Sequence, residues 1–405
     1  MKITGLKATP VAVPMKSDDS YMHVGPNVTT AVLLEVFTDE GITGIAEVPV
    51  VVGAEISKQL VMNAEKFVVG KDPCMPTVLL KELYALYNLN HLHMMVANWA
   101  VNSIERACWD IMGKKAGLPL YKLWGGNFRR EVPVFFWSTS TDLDEVRQEA
   151  KVRAAQGYKV LYTKVGFDTV EYDIEMVKAI REGAPDPSVK IRVDANQAWT
   201  VGDAIRAING MEPYGMDCVD QPVMQYNLDA LKAVKERTRV PIAAHEASWT
   251  MFDMLRVISQ NAADIVHIDP RFDGGYHGAR VSAGIAEAAN VPVISHAYYE
   301  LGVAIMERMH CCASFPAYTM VNQLGEYEQM SDDIIKGGKI DVVNGHIRMP
   351  DRPGLGVELD EERVARYNEV YVKEVLEPGF DNATESPLYG AQFTRNYMKP
   401  LYAQV

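Results

Sequence analysis

At 405 residues, 48% apolar and 23% charged, the chain is that of an ordinary globular protein, long enough for one large barrel and a smaller domain. Its net charge of −13 with scattered basic residues excludes the positive footprint of a nucleic-acid binder and points to a small-molecule partner. No apolar run approaches the roughly 20 residues of a membrane span, and the N-terminus has no basic stretch leading into an apolar core and a cleavage site, so a cytoplasmic protein with no membrane partner is expected.

Three strand-like stretches open the chain: "ITGLKATPVAV", "TTAVLLEVFTD" and "ITGIAEVPV", the last two joined across Asp39, Glu40 and Gly41. The pattern then turns helical. "ISKQLVMNAEKFVVG", "TVLLKELYALY" and "MMVANWAVNSIERACWDIMGKKAG" carry apolar residues at helical spacing, and Gly117 with Pro119 forms a stop signal. Residues 1–130 thus read as an α+β module. From Glu131 short apolar stretches alternate with helical ones. Eight strand candidates follow: "VPVFFWS", "KVLYTKV", "VKIRVDA", "DCVDQPV", "PIAAHEA", "DIVHIDP", "VPVISHA" and "YTMVNQL". Eight βα repeats predict an α/β fold, a parallel (β/α)8 barrel over residues 131–350, because parallel neighbours need helical crossovers. A doubly wound open sheet is the alternative, and no GxGxxG turn supports it. Residues 351–405 form a C-terminal segment and tail; the stretch "ESPLYGAQFTRNYMKPLYAQV" has no reading beyond packing on a neighbouring subunit. The five cysteines, an odd number without a CxxC, are read as buried reduced thiols.

Barrel active sites lie at the C-terminal strand ends. Strand two ends in Lys164, strand three in Asp194 and Asn196, strand four in Asp220, strand five in Glu246, strand six in Asp269 and strand seven in His296. A single Asp after a strand is ordinarily an N-cap. Titratable groups at one point of six consecutive strands are not explained by capping or packing, since they are costly to bury without partners. Asp194, Asp220 and Glu246 stand on adjacent strands, where their carboxylates repel unless a cation holds them. An all-oxygen set suits Mg²⁺, or Mn²⁺ as second choice, rather than zinc. Lys164 falls on one side of this set, and Asp269 with His296 on the other. A carboxylate beside a histidine orients the imidazole as a base. Two bases facing each other across a divalent cation suit removal of a proton α to a carboxylate, with the cation stabilising the enediolate.

The order Lys164, "RVDANQAW", "VDQP", "HEAS", "IDPRFDGG", "SHAYYE" and "MPDRPGLGVEL", with "KAGLPLYKLWGG" at the junction into the barrel, resembles the enolase superfamily in its mandelate racemase subgroup, from Met1 to about Asp360. The resemblance implies a modified, enolase-type TIM-like barrel with an N-terminal capping domain. It implies Asp194, Asp220 and Glu246 as metal ligands, Lys164 as one base and Asp269 with His296 as the opposing dyad. It also places Glu326 near a family glutamate that hydrogen-bonds the substrate carboxylate, and His23 in a capping loop over the substrate. Two departures stand out: the fourth-strand ligand is Asp220 followed by Gln221 where Glu is usual, and the usual Lys-x-Lys reads Tyr162, Thr163, Lys164. Side chains alternate along a strand, so Tyr162 and Lys164 share a side. Tyr162 is expected either to donate a hydrogen bond to the substrate carboxylate or to Lys164, or to fill space.

By the same alternation His245 is expected to point away from the metal cluster and to be structural. His277 reads as a cap or surface residue, Gly274 and Gly275 as the strand-to-helix turn, and the aromatics at the strand ends, Trp137 and Tyr298 first among them, as barrel packing rather than recognition. The expected activity is dehydration of a sugar acid to a 2-keto-3-deoxy acid. The alternatives are a racemase, epimerase or cycloisomerase acting through the same enediolate, and a catalytically dead barrel serving as a scaffold, which the complete set of strand-end groups argues against. A small carboxylate is the expected partner, and a homo-oligomer, dimer to octamer, the expected assembly.

Overall fold

The structure, a computed structural model, describes residues 1–16, 28–50, 53–87, 96–138, 140–298, 300–325 and 327–379. The expectations for His23, Glu326 and the tail fall outside these residues.

Strands β1 (Ile3–Pro14), β2 (Val28–Thr38) and β3 (Thr43–Val48) form an antiparallel meander. Helices α1 (Ala54–Met62), α2 (Glu65–Val68), α3 (Pro76–Leu86) and α4 (Val96–Ala116) follow, then the short α5 (Leu120–Leu123). Val32, Leu34 and Val36 of β2 pack with Leu80 and Leu83 of α3 and Val101, Ile104 and Cys108 of α4 in one apolar core.

The barrel begins with β4 (Glu131–Ser138) and alternates through α6 (Leu143–Ala155), β5 (Val160–Lys164), α7 (Val170–Gly183), β6 (Lys190–Asp194), α8 (Val201–Met211), β7 (Met216–Asp220), α9 (Leu228–Lys235), β8 (Ile242–Ala244), α10 (Met251–Ser259), β9 (Ile265–Ile268), α11 (Gly275–Ala288), β10 (Val293–Ser295), α12 (Gly302–Ser314) and β11 (Asn322–Gln323). All eight strands are parallel in the order β10-β9-β8-β7-β6-β5-β4-β11. The eight strand candidates therefore correspond to eight strands, although the last pairs only through Asn322 and Gln323. Between β10 and β11 the barrel is closed by side chains. Asn322 accepts the Ser295 amide through Oδ1 at 2.9 Å, and Arg308 donates to both Ser295 Oγ and the Gln323 carbonyl. A further strand, β12 (His346–Arg348), pairs antiparallel with the first residues of β4, and α13 (Glu361–Tyr371) returns to β1, where Asn368 donates to the Pro10 carbonyl.

Helix starts explain how barrel and cap are joined. Helices α6 to α10 each carry a side-chain N-cap: Asp142, Thr169, Thr200, Asn227 and Thr250. Helices α11 and α12 begin at Gly274 and Leu301 and have none of their own. The capping domain supplies acids instead. Glu105 of α4 accepts the amides of Tyr276 and His277, and Glu47 of β3 accepts those of Leu301 and Ala304. His277 is thus a first-turn residue, and Gly274 and Gly275, at φ 88° and 74°, make the turn into α11. A Cβ at Gly275 would stand 2.3 Å from Glu105 Oε2, so only glycine lets that acid reach the helix.

All five cysteines are free, and four are buried. No described helix is long and apolar enough to cross a membrane.

Candidate active site

The strand-end groups meet at one mouth of the barrel, and adjacent registers account for it. Lys164 on β5 pairs in register with Asp194 on β6, and Asp194 with Asp220 on β7. Lys164 Nζ lies 2.7 Å from Asp194 Oδ2 and 2.5 Å from Asn196 Oδ1. Asn196, at φ 40°, folds back so that its amide donates to Asp194 Oδ1 at 2.7 Å and its Nδ2 to Glu246 Oε1 at 2.9 Å. One asparagine therefore links Lys164, Asp194 and Glu246. At the other wall, His296 Nδ1 lies 3.2 Å from Asp269 Oδ2, and Arg271 clamps the same carboxylate through Nε and a terminal nitrogen at 2.6 Å.

The residues two before each strand end form a lower interior layer, as strand alternation requires. Tyr162 is buried there, stacked on Phe135 at 4.8 Å with an edge toward Trp137, and its hydroxyl donates to Asp194 Oδ2 at 2.9 Å. Asp194 is a partner other than the expected ones, the substrate carboxylate and Lys164, and the hydrogen bond departs from a side chain that merely fills space. Arg192, Cys218 and His267 occupy the equivalent positions on β6, β7 and β9, with Cys218 Sγ 3.4 Å and His267 Nε2 3.3 Å from Asp220 Oδ1. The same alternation would have pointed to all three. Trp137 lies below the Lys164 ammonium, 5.6 Å from ring centroid to Nζ, and Tyr298 stands 6.3 Å from the His296 ring.

One sequence expectation is overturned. His245 does not point away: its Nδ1 stands 3.3 Å from Asp194 Oδ2 and 3.6 Å from Glu246 Oε2. Strand β8 ends at Ala244, and His245 adopts φ −104°, ψ −86° before a 3₁₀ turn over Glu246–Ser248, so the period-two rule no longer applies. Gln221, at φ 32°, holds that turn, its Oε1 accepting the amides of His245 at 3.0 Å and Ala247 at 3.2 Å. The residue that replaces an acid after Asp220 thus positions the next strand end.

The charges follow from these contacts. Burial opposes ionisation of Asp194, yet the Lys164 ammonium and His245 hold it well below the usual carboxylate range. Burial likewise works against Asp220, and His267 and Arg192 bring it down. Glu246 moves the other way, raised by burial with Asp194 adding to the effect. Asp269 is held low by Arg271 and His296 against its burial, while burial pushes His296 well below its ordinary value, leaving a neutral imidazole.

Do these residues fit a divalent cation? Glu246 Oε2 is fully buried and finds no hydrogen-bond partner among the described residues. Three buried carboxylates and a bridging amide are oxygen donors of the kind hard cations take. Among the described residues no group of three or more His, Cys, Asp or Glu side chains stands in metal-holding geometry; the Lys164 ammonium rests on Asp194 instead. The donor chemistry fits, with Asp194, Asp220 and Glu246 as the residues that would hold the ion.

Comparisons with known proteins agree with this architecture. The family described as "Enolase C-terminal domain-like" matches residues 145–363, and the "Mandelate racemase / muconate lactonizing enzyme, N-terminal domain" matches residues 8–125. The chain is 33% identical over 265 residues to an arabinonate dehydratase of Saccharolobus solfataricus, covering 64% of this chain and 70% of that one. It is 27% identical over 375 residues to an N-succinyl-L-Arg/Lys racemase of Bacillus cereus, covering 89% and 96%. The crystal structure of muconate lactonizing enzyme from Pseudomonas fluorescens complexed with muconolactone superimposes with a TM-score of 0.82 at 25% identity, covering 90% of this chain and 99% of that one. The barrel, the capping sheet and the matched domains together make this chain a member of the mandelate racemase/muconate lactonizing enzyme group of the enolase superfamily.

Proposed function

We propose that the protein removes the proton α to the carboxylate of a small organic acid and then expels a β-hydroxyl, dehydrating a sugar acid of aldonate or aldarate type to its 2-keto-3-deoxy acid. One observation carries this reading: an ammonium at the end of β5 and a carboxylate-oriented imidazole just after β10 flank a set of buried carboxylates. Asp194, Asp220 and Glu246 would hold Mg²⁺, or Mn²⁺ as second choice. When bound, such an ion draws charge onto the substrate carboxylate oxygens and so acidifies the α-carbon.

His296 is the base this geometry favours. Its Nδ1 faces Asp269, so the proton sits there and the Nε2 lone pair is left for the substrate; burial keeps the ring neutral. His296 takes the α-proton, the C–H pair enters the carboxylate as an enediolate, and the C3–O bond breaks as the imidazolium so formed passes its proton to the departing hydroxyl, which leaves as water and restores the neutral ring. The resulting enol gains a proton at C3 and becomes the ketone. The Lys164 ammonium on the opposite face neutralises developing charge. The likeness to an arabinonate dehydratase supports this outcome.

The second reading is a racemase, epimerase or cycloisomerase. The same two faces favour it, because an acid on Lys164 opposite a base on His296 reprotonates the α-carbon with inversion. The likeness to an N-succinyl-L-Arg/Lys racemase supports it. Incubation of Mg²⁺-loaded protein with acid sugars and other α-hydroxy acids in D₂O separates the two. A 2-keto product is expected; deuterium at C2 without loss of water selects the second reading, and neither result across the library sinks both.

A further inference from the structure

The contacts of His296 do not end at Asp269. Arg271 donates to both oxygens of that carboxylate through Nε, and its Nη2 lies 2.6 Å from Asp269 Oδ2 and 3.0 Å from Glu300 Oε2. Glu300 in turn receives Arg308 on both oxygens, Nε at 2.8 Å on Oε2 and Nη2 on Oε1. Imidazole, carboxylate, guanidinium, carboxylate and guanidinium therefore alternate along one buried line. It runs from the barrel mouth to the seam between β10 and β11, where Arg308 holds Ser295 and the Gln323 carbonyl.

Arg271 is fixed at both its ends. Asn102 of α4 donates to its carbonyl at 2.8 Å, and its own Nη1 donates to the Tyr298 carbonyl at 3.1 Å. Against burial, Asp269 and Glu300 keep the guanidinium firmly charged. Burial also raises Glu300, yet among the described residues its two oxygens meet only donors. A carboxyl proton there would have no acceptor, so the carboxylate is the form that fits.

The alternation of charge has a consequence for the base. Asp269 stabilises a proton on His296, and whatever share of its charge Arg271 absorbs is lost to the ring. Glu300 answers Arg271 from the other side. The remaining charges near the line are His245, whose ring stands 4.6 Å from His296 and opposes a proton there, and two acids facing Arg271 from farther off. These are Glu47 of β3 and Glu307 of α12, the latter paired with Arg106. Among the described residues, Glu300 is the acid other than Asp269 at ion-pair distance from Arg271.

We propose that Glu300 is a positioning residue for the base: by countering Arg271 it leaves the Asp269 carboxylate to His296, and so sets how strongly that imidazole takes a proton. The inference rests on the reading of His296 as the base.

The test uses the full-length protein in excess Mg²⁺ and needs no substrate. Exchange of the imidazole Cε1 hydrogen in D₂O proceeds through the protonated ring, so its plateau rate at high pH falls as the ring becomes less basic. Mass spectrometry of the peptide carrying His296 reads it. Glu300→Gln leaves Arg271 uncountered and is expected to slow the plateau about threefold, whereas Arg271→Gln releases Asp269 to the ring and is expected to speed it by a similar factor. Loosened packing alone would admit solvent and speed exchange in both. Circular dichroism and the Tm establish folding. Should Glu300→Gln fail to fold, Glu300→Asp, which draws the charge back from Arg271, is expected to slow exchange by a smaller factor; should that fail too, Arg271→Gln decides alone. Exchange unchanged or faster in a folded Glu300 variant overturns the proposal, and so does exchange unchanged or slower in Arg271→Gln. Exchange that shifts as expected while no acid in the library turns over supports Glu300 and sinks only the dehydration reading. Turnover that survives in His296→Asn removes the base, and the proposal falls with it.

Discussion

The Tyr162 hydroxyl donates to Asp194 Oδ2 at 2.9 Å, and the same oxygen lies 2.7 Å from the Lys164 ammonium. A neutral donor and a cation thus share one carboxylate oxygen where two ammonium groups are usual in the family. Tyr162→Phe removes a buried donor and leaves the ring packing on Phe135 intact. Cation affinity is expected to fall roughly tenfold, the effect of losing a partner that orients a ligand, with a smaller change in Tm. Isothermal titration with Mn²⁺ measures it, and an unchanged affinity shows that the hydroxyl only fills space.

Asp269 is divided between His296 and Arg271, so Asp269→Asn strikes both. The imidazole loses the acceptor that fixes its tautomer, and turnover on the substrate identified in D₂O is expected to drop by about 10² or more. Arg271→Gln keeps Asp269 beside His296 and is expected to cost less in kcat. Comparison of kcat and KM for the pair locates the loss at the base rather than in substrate binding.

His310 gives the fold an acid-sensitive point away from the active site. Burial pushes it down to about 4, while its Nδ1 accepts the Tyr121 amide at 3.3 Å and Nε2 faces the Leu355 carbonyl at 3.1 Å. The unfolded chain takes up this proton near pH 6.5 and the folded one only near 4. Stability from the neutral ring is therefore present above pH 6.5 and is lost as pH falls toward 4. The shift corresponds to about 3 kcal/mol in all. Urea midpoints from pH 7 to pH 4 are expected to decline less steeply in His310→Gln than in the wild type; parallel declines would remove His310 as the cause.

Glu47 and Glu105 reach out of the capping domain to start two barrel helices that carry no caps of their own. Glu47→Ala leaves the buried Leu301 and Ala304 amides without this acceptor, a cost of about 2 kcal/mol by the loss of a buried cap. The Tm is expected to fall, and hydrogen exchange is expected to quicken first at the start of α12. Exchange unchanged there would mean that the helix is held by its packing alone.

At the seam between β10 and β11, Asn322 stands in for a ladder, receiving the Ser295 amide and donating to the Pro133 carbonyl. Asn322→Leu, close in volume, removes these bonds and the Nδ2 donation to the Met320 carbonyl. A loss of about 1–3 kcal/mol is expected from the unpaired buried amide, read as a lower urea midpoint at unchanged slope.

Much of this architecture is legible in the residues. The alternation of short apolar stretches with helical ones specifies eight strands because parallel strands are buried on both faces and need crossovers. The strand-end acids, Lys164 and His296 are legible for the same reason: a charged group closing an apolar run has few other places to be. His267, Cys218 and Arg192 were equally within reach of the period-two rule, two residues before their strand ends. His245 was not, because it lies one residue beyond the end of β8, where the period-two rule no longer holds.

The sequence by itself therefore determined the barrel, its polar mouth and the residues that meet there, because burial periodicity and strand register are local properties of the chain. Only the tertiary structure decided which of those residues touch. The inward turn of His245 depends on Gln221 from the neighbouring strand, the Tyr162 hydroxyl finds Asp194 across a register pair, and the starts of α11 and α12 are completed by acids more than 150 residues earlier in the chain. Each is a contact between elements distant in sequence, set by how strands twist around the barrel and how the cap docks on it.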